Sequence, residues 1–330
     1  RIGRPLDLNL DSLYKKAPWL IGSKYFENQS HFDGLGQRIK INLNMEKSIM
    51  AGKKITIHDI KQAKNDHRKL VMVTAYDYPF GLMAEEAGVD IVLVGDSLGM
   101  VVMGLGGTTK VNMEHMIHHI RAVTRGCKTP LVVGDMPFMS YNTSIREAIV
   151  NAGRLMKEGG CDVVKLEGGV DFAPTIEAIV KAGIPVQGHI GLTPQTASAL
   201  GGFKMQGKDV EAAIGIVDDA RAVEAAGAFS MVVEAVPAPL GEIIAKAVNI
   251  PVIGIGAGNQ VDGQVLVTHD MIGLFDKFVP RFVKQYAQIR PTIIDAMKAY
   301  KEEVTNQTFP SREHGFSMSD ETLEKLKKMI

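Results

Sequence analysis

Three stretches of this sequence each place a carboxylate beside glycine or proline at the end of an apolar run. They are Val94-Gly95-Asp96-Ser97-Leu98-Gly99, Gly134-Asp135-Met136-Pro137 and Val164-Lys165-Leu166-Glu167-Gly168-Gly169. A single aspartate in such a place often does no more than cap a turn or a helix. Three carboxylates facing one point repel one another unless a cation or a shared proton lies between them. Oxygen ligands without thiolates or clustered imidazoles suit magnesium rather than zinc. Magnesium keeps waters and can be chelated by a 2-oxo acid through its carboxylate and keto oxygens. Lys165 adds positive charge where a carboxylate or enolate would dock.

A fourth acid, Glu234, stands alone after Ser230-Met231-Val232-Val233. Burial there would disfavour its charged form and suit it to accept a proton near neutral pH, although a partnered structural carboxylate is the plain alternative. His189, in Gly188-His189-Ile190-Gly191, reads equally as a substrate contact or a satisfied core histidine. The run Gly254-Ile255-Gly256-Ala257-Gly258 resembles a phosphate cradle, but close backbone packing explains such glycines as well. His115, His118 and His119 lack the HExxH order of zinc proteases and read as an ordinary helix face.

The elements that would position these groups repeat one pattern from about residue 70 onward. A short β-branched run leads to a polar or glycine-rich turn and then an amphipathic stretch. Eight runs are strand candidates: 70–77, 90–97, 130–137, 162–168, 185–191, 229–237, 251–258 and 265–269, the last being weakly patterned. Most are almost continuously apolar, as parallel strands covered on both faces must be. Helical patterns lie between them, for example at 144–158, 174–182 and 210–226. Gly159, Gly183 and Gly227 follow these helices as left-handed caps. Alternating β and α units imply a parallel sheet, and eight of them favour closure into a (β/α)8 barrel. Asp77, Asp96-Ser97, Asp135, Lys165 with Glu167, His189, Glu234 and His269-Asp270 all gather at C-terminal strand ends. In a barrel those ends meet at one mouth, whereas an open sheet concentrates its site near one switch point. Thr56-Ile57-His58-Asp59 could open a short helix plugging the barrel bottom, and 276–301 reads as helix interrupted near Pro280 and Pro291.

The 330 residues exceed the ~250 of a usual barrel; 45% are apolar and 22% charged, which suits a large core. With 37 basic and 37 acidic residues, the formal charge is zero. Nothing electrostatic therefore points to nucleic acid or a membrane surface as partner. No run approaches the roughly 18 apolar residues of a membrane span. Cys127 and Cys161 are too few for a disulfide framework and imply reduced thiols in a cytoplasmic protein. Residues 1–44 show no clean period and hold the sole tryptophan, Trp19; Ser12–Ala17 looks like translated cloning sequence. The expected organisation is a cloning-derived or disordered extension over 1–44, a catalytic barrel over 45–316 and a C-terminal tail over 317–330.

Several motifs, in order and spacing, resemble the ketopantoate hydroxymethyltransferase family. They are Thr74-Ala75-Tyr76-Asp77, Val94 to Gly99, Gly134-Asp135-Met136-Pro137-Phe138, Val164 to Gly169, Gly188 to Gln195 and Gly254 to Gly258. The resemblance runs from about Lys69 to Phe316 and implies a TIM barrel of the phosphoenolpyruvate/pyruvate type. It implies transfer of a hydroxymethyl group from 5,10-methylenetetrahydrofolate to 3-methyl-2-oxobutanoate, giving 2-dehydropantoate through a magnesium-stabilised enolate. By motif, Asp96, Asp135 and Glu167 match its metal-site acids. Asp96, Ser97, Asp135 and Lys165 match its oxo-acid-binding positions, and Glu234 its proton acceptor. A cytoplasmic homo-oligomer, commonly a decamer, is implied too. Two other readings stay open on the residues alone: another metal-enolate barrel enzyme, such as a 2-oxo acid lyase or phosphonomutase, and a barrel that binds a small acid without turning it over.

Overall fold

The computed structural model of the protein describes residues 52–330 apart from 200, 201 and 203; the expected extension over 1–44 lies outside them. Eight strands appear in chain order: β1 Leu70–Thr74, β2 Ile91–Val94, β3 Leu131–Asp135, β4 Val163–Glu167, β5 Val186–Gly191, β6 Ser230–Glu234, β7 Val252–Ile255 and β8 Gly263–Leu266. Each pairs in parallel with the next, and β8 returns to β1 through Leu70–Gly263 and Met72–Val265, closing the barrel.

Two apolar layers explain why the strands read as continuous hydrophobic runs. Alternate residues point inward, because side chains switch face at every step of a strand. Leu70, Met72, Ile91, Leu93, Leu131, Val133, Val163, Val232, Ile253 and Val265 fill the interior. Their neighbours Val92, Val94, Val132, Val164, Val233 and Val252 pack outward against the helices. The helix Ile57–Asn65 closes the bottom: Thr56 caps it in a reciprocal box with Asp59, and Ile60 and Ala63 are buried into the interior layer. Truncating Ile60 to alanine would open that seal at a cost of about 2–5 kcal/mol.

The helices follow from ordinary capping and periodicity. Met113–Gly126 starts at Asn112, whose side chain accepts from the His115 amide, and buries Met116, Ile117, Ile120 and Val123 along one stripe. Ile145–Arg154 is capped by Ser144, and Val210–Ala225 by Asp209. Three local expectations need correction. The residue in left-handed conformation after the third crossover helix is Gly160, because one π-helical turn over Leu155–Gly159 adds a residue before the cap. Strand β8 ends at Leu266, and Thr268–Met271 turns helical. The stretch 276–288 is irregular, since Pro280 breaks the amphipathic pattern there. The helix begins at Ile289, where Pro291 falls in the first turn. Gly183 and Gly227 do adopt the left-handed conformation.

Cys127 and Cys161 are free and buried, and burial pushes their thiols up to about 11 and about 12. Among the described residues no helix is long and apolar enough to cross a membrane.

Candidate active site

The inward alternation that packs the barrel also delivers its polar groups. Asp135 follows Leu131 and Val133 on the inner face of β3, and Lys165 and Glu167 follow Val163 on β4. Register then sets Asp135 beside Lys165 and Glu167 beside His189. Asp96 and Ser97 lie just beyond β2, where the chain turns into the short helix Leu98–Val101. Glu234 ends β6 on the face of Val232. All the site residues expected from sequence therefore meet at one mouth. They line a single cavity of about 970 Å3 together with His189.

The bottom of that cavity is a fixed hydrogen-bonded cluster. Lys165 Nζ donates to Asp135 Oδ1 at 2.8 Å, and both side chains are almost wholly buried. The Asp96 amide donates to Asp135 Oδ2 at 3.3 Å. Gln195, on the turn after β5, ties the cluster together: its Nε2 donates to Asp96 Oδ2 at 2.8 Å and to the Met136 carbonyl at 2.9 Å. The Gln195 amide donates to Glu167 Oε2 at 3.0 Å, and Tyr141 Oη donates to Gln195 Oε1 at 2.7 Å. Ser97 Oγ shares a 2.9 Å hydrogen bond with Tyr76 Oη. His189 sits between two acids, Nδ1 at 3.3 Å from Glu167 Oε1 and Nε2 at 3.3 Å from Glu234 Oε2. Neither contact is a well-aligned hydrogen bond.

Charge is short of balance in this cluster. Burial, then Asp135 and Glu167, hold the Asp96 carboxyl well above its ordinary range. Burial also raises Asp135, against the pull of Lys165. Burial acts against the Lys165 ammonium, yet Asp135, Glu167 and Asp96 outweigh it and raise Lys165 overall. For Glu167 burial is outweighed by His189 and Lys165, which lower it. Burial and Lys165 disfavour the His189 imidazolium, but Glu167 and Glu234 prevail and push it up to about 9. A buried acid driven up by like-charged neighbours marks a site that would accept another cation.

The donor set fits magnesium in one particular way. Among the described residues no three His, Cys, Asp or Glu side chains converge into a ready cage. Magnesium is commonly held by one or two carboxylates, with water and substrate completing its shell. Both Glu167 oxygens already face Gln195 or His189, and one Asp96 oxygen faces Gln195. The remaining Asp96 oxygen and the loosely engaged Oδ2 of Asp135 are the better-placed donors.

Other strand-end groups do different work. Asp77 caps the helix Tyr78–Ala87, accepting from the Phe80 amide at 2.8 Å, and is exposed. His115 belongs to a helix cap, His119 contacts the Tyr76 carbonyl and His118 is exposed. A Cβ on Gly256, at φ 65, would stand 2.7 Å from the Phe282 ring, so this glycine serves close packing. Asp270 lines the cavity, and burial pushes its carboxyl up to about 6. Gln195 and Tyr141 were not singled out from sequence. A glutamine after a proline in a loop is unremarkable until the fold brings it to residues 99 and 59 positions away.

A sequence model of ketopantoate hydroxymethyltransferase matches residues 54–312. The chain is 56% identical over 273 residues to the 3-methyl-2-oxobutanoate hydroxymethyltransferase of Enterococcus faecalis, covering 83% of this chain and 99% of that protein. It is 55% identical over 269 residues to the enzyme of the same name from Heliobacterium modesticaldum, covering 82% and 98%. Among solved structures, phosphonopyruvate hydrolase aligns with a TM-score of 0.54 at 11% identity over 84% of this chain and 96% of that one. A 2,3-dimethylmalate lyase of the PEP mutase/isocitrate lyase superfamily aligns with a TM-score of 0.50 at 13% identity, covering 83% and 94%. These two likenesses speak to the barrel alone.

Proposed function

The chain belongs to the ketopantoate hydroxymethyltransferase family, and on that premise we propose how its barrel mouth performs the transfer. The protein is a transferase that moves a hydroxymethyl group from a one-carbon donor onto 3-methyl-2-oxobutanoate, giving 2-dehydropantoate. The donor is 5,10-methylenetetrahydrofolate. Asp96 and Asp135 hold a magnesium ion with Glu167 as the neighbouring acid. When bound, that ion supplies Lewis acidity at the keto oxygen of the substrate.

The chain's own residues do the rest. Lys165, locked on Asp135, keeps a fixed positive charge facing the oxo acid. Ser97, set by Tyr76, offers its hydroxyl to the substrate carboxylate. Glu234 accepts the proton from C3, and that carbon then attacks the one-carbon unit. Water supplies the hydroxyl oxygen, and its remaining proton and the one held by Glu234 pass to the two nitrogens of the departing tetrahydrofolate. Groups fixed before the reaction stabilise the developing charge without having to reorganise, and confinement of both reactants lowers the entropic barrier.

The observation that supports this reading most is the convergence of Asp96, Asp135, Lys165, Glu167 and Glu234 on one cavity, with Lys165 and Asp135 already paired. A lyase or phosphonomutase reading rests only on folds at 13–16% identity. The test is product identification from 3-methyl-2-oxobutanoate, methylenetetrahydrofolate and Mg2+. Formation of 2-dehydropantoate only when all three are present is expected, and cleavage of the oxo acid without folate would overturn the reading.

We also propose a homo-oligomer, decameric by family resemblance, working in the cytoplasm. The helix Ile289–Thr305 supports association: it has no buried residue, and Ile293, Met297, Tyr300 and Val304 form an exposed stripe at helical spacing.

A further inference from the structure

The cavity exceeds what the oxo acid can fill. Its volume of about 970 Å3 lies near the top of the roughly 300–1,000 Å3 typical of clefts for drug-sized ligands, while 3-methyl-2-oxobutanoate has only eight non-hydrogen atoms. Asp96, Asp135 and Lys165 occupy the buried end. The outer walls come from elsewhere in the chain: Phe275, Phe278 and Phe282 from the segment after β8, and the exposed cations Lys204, Lys208 and Arg281 at the rim.

Asp270, which lines the cavity, takes no part in the transfer itself. Asp270 is 7% exposed, its Oδ1 is sealed from solvent, and no described residue donates to either carboxylate oxygen. A buried acceptor left without a donor is costly. The oxo acid cannot relieve it, because that molecule is itself an anion without N–H or O–H groups. A partner for Asp270 must bring donors of its own.

Building on the folate reading above, we infer that the outer cavity is the seat of the one-carbon carrier. Asp270 accepts through Oδ2 from the N–H edge of the pterin, the phenylalanines flank the carrier's flat rings, and Lys204, Lys208 and Arg281 hold the glutamate carboxylates at the rim. An N–H donor reaching Asp270 Oδ2, the oxygen that is not sealed, makes a charge-assisted hydrogen bond stronger than one to a neutral acceptor. Aromatic side chains favour stacked or edge contacts with flat rings. The buried-to-exposed order of acceptor, aromatic wall and cations repeats the carrier's order of pterin, aminobenzoyl and glutamate. The basic rim and the acidic floor therefore serve different substrates.

Calorimetry with three carriers tests this: tetrahydrofolate, tetrahydropteroate, which lacks the glutamate, and the 2-desamino-2-methyl analogue of tetrahydrofolate, which lacks the amino donor. Asp270→Asn should weaken tetrahydrofolate and tetrahydropteroate alike by roughly 10- to 100-fold. Wild type should lose a similar factor with the desamino analogue, a comparison that needs no variant to fold. Replacing Lys204, Lys208 and Arg281 together by glutamine should weaken tetrahydrofolate about 10-fold and leave tetrahydropteroate unchanged. If wild type binds tetrahydrofolate while neither Asp270→Asn nor the desamino analogue weakens binding, the subsite is overturned and the folate reading stands. If wild type binds none of the carriers and makes no product from methylenetetrahydrofolate, both fall.

Discussion

His189 Nε2 lies 3.3 Å from Glu234 Oε2, so the acid assigned to take the C3 proton stands beside the same imidazole that faces Glu167 on the metal side. One ring thus spans the two halves of the site, and its protonation sets the charge that both acids see. A protonated ring can donate to both carboxylates; a neutral one can donate to only one of them.

This arrangement predicts a pH signature in the metal-free protein. The folded chain keeps the His189 proton up to about 9, against 6.5 ordinarily. The stability it confers is therefore complete below pH 6.5 and lost as pH rises through about 9. With a chelator present, the difference in unfolding free energy between wild type and His189→Gln should shrink over that window. A difference that stays level from pH 6 to 10 would show that the ring is neutral in the folded protein.

Gln195 is predicted to position the metal-site acids. Gln195→Ala removes the donor to Asp96 and the tie to Tyr141. Mg2+ affinity should fall about 10- to 100-fold, the usual effect of deleting a group that orients metal ligands. Tyr141→Phe should show a smaller loss in the same direction. Titration with Mg2+ by calorimetry decides it, and an unaltered affinity in Gln195→Ala would mean that Asp96 and Glu167 hold their positions unaided.

Asp135→Asn should weaken Mg2+ binding and turnover together, because an amide keeps the oxygen but not the charge. It also deprives buried Lys165 of its nearest partner. Loss of turnover with intact Mg2+ affinity would remove Asp135 from the metal's contacts and leave it as the anchor of Lys165.

Deleting residues 1–44 should leave activity and cooperative unfolding intact. The family match begins at residue 54, and 273 residues of this chain suffice to cover 99% of the Enterococcus faecalis relative. Aggregation or loss of the native oligomer on deletion would assign the segment a structural role.

Much of this was legible in the sequence because it depends on local pattern. Near-continuous runs such as Ile91–Val94 announce strands buried on both faces, and the start of the plug helix is written in Thr56-Ile57-His58-Asp59. Asp135, Lys165 and Glu167 could be placed because they stand at the C-terminal ends of apolar runs, which meet at the mouth of a barrel. The Gln195 clamp and the His189–Glu234 contact could not, since both depend on how distant strand ends meet. The cap at Gly160 was displaced by a π turn that no propensity signals. The break over 276–288 was underestimated because Phe278 and Phe282 look like a helix face until they are seen lining the cavity.

Hydrogen exchange isolates the removal of the C3 proton by Glu234 from carbon–carbon bond formation. With Mg2+ but no folate, wild-type protein in deuterium oxide should exchange the C3 hydrogen of 3-methyl-2-oxobutanoate without forming product, as followed by proton NMR. Glu234→Gln keeps the shape but lacks the basic carboxylate. Its exchange should drop by roughly the 10²–10⁴ that a positioned base contributes, while the oxo acid binds nearly as before. A mutant that exchanges at the wild-type rate would rule out Glu234 and place the base elsewhere in the cavity.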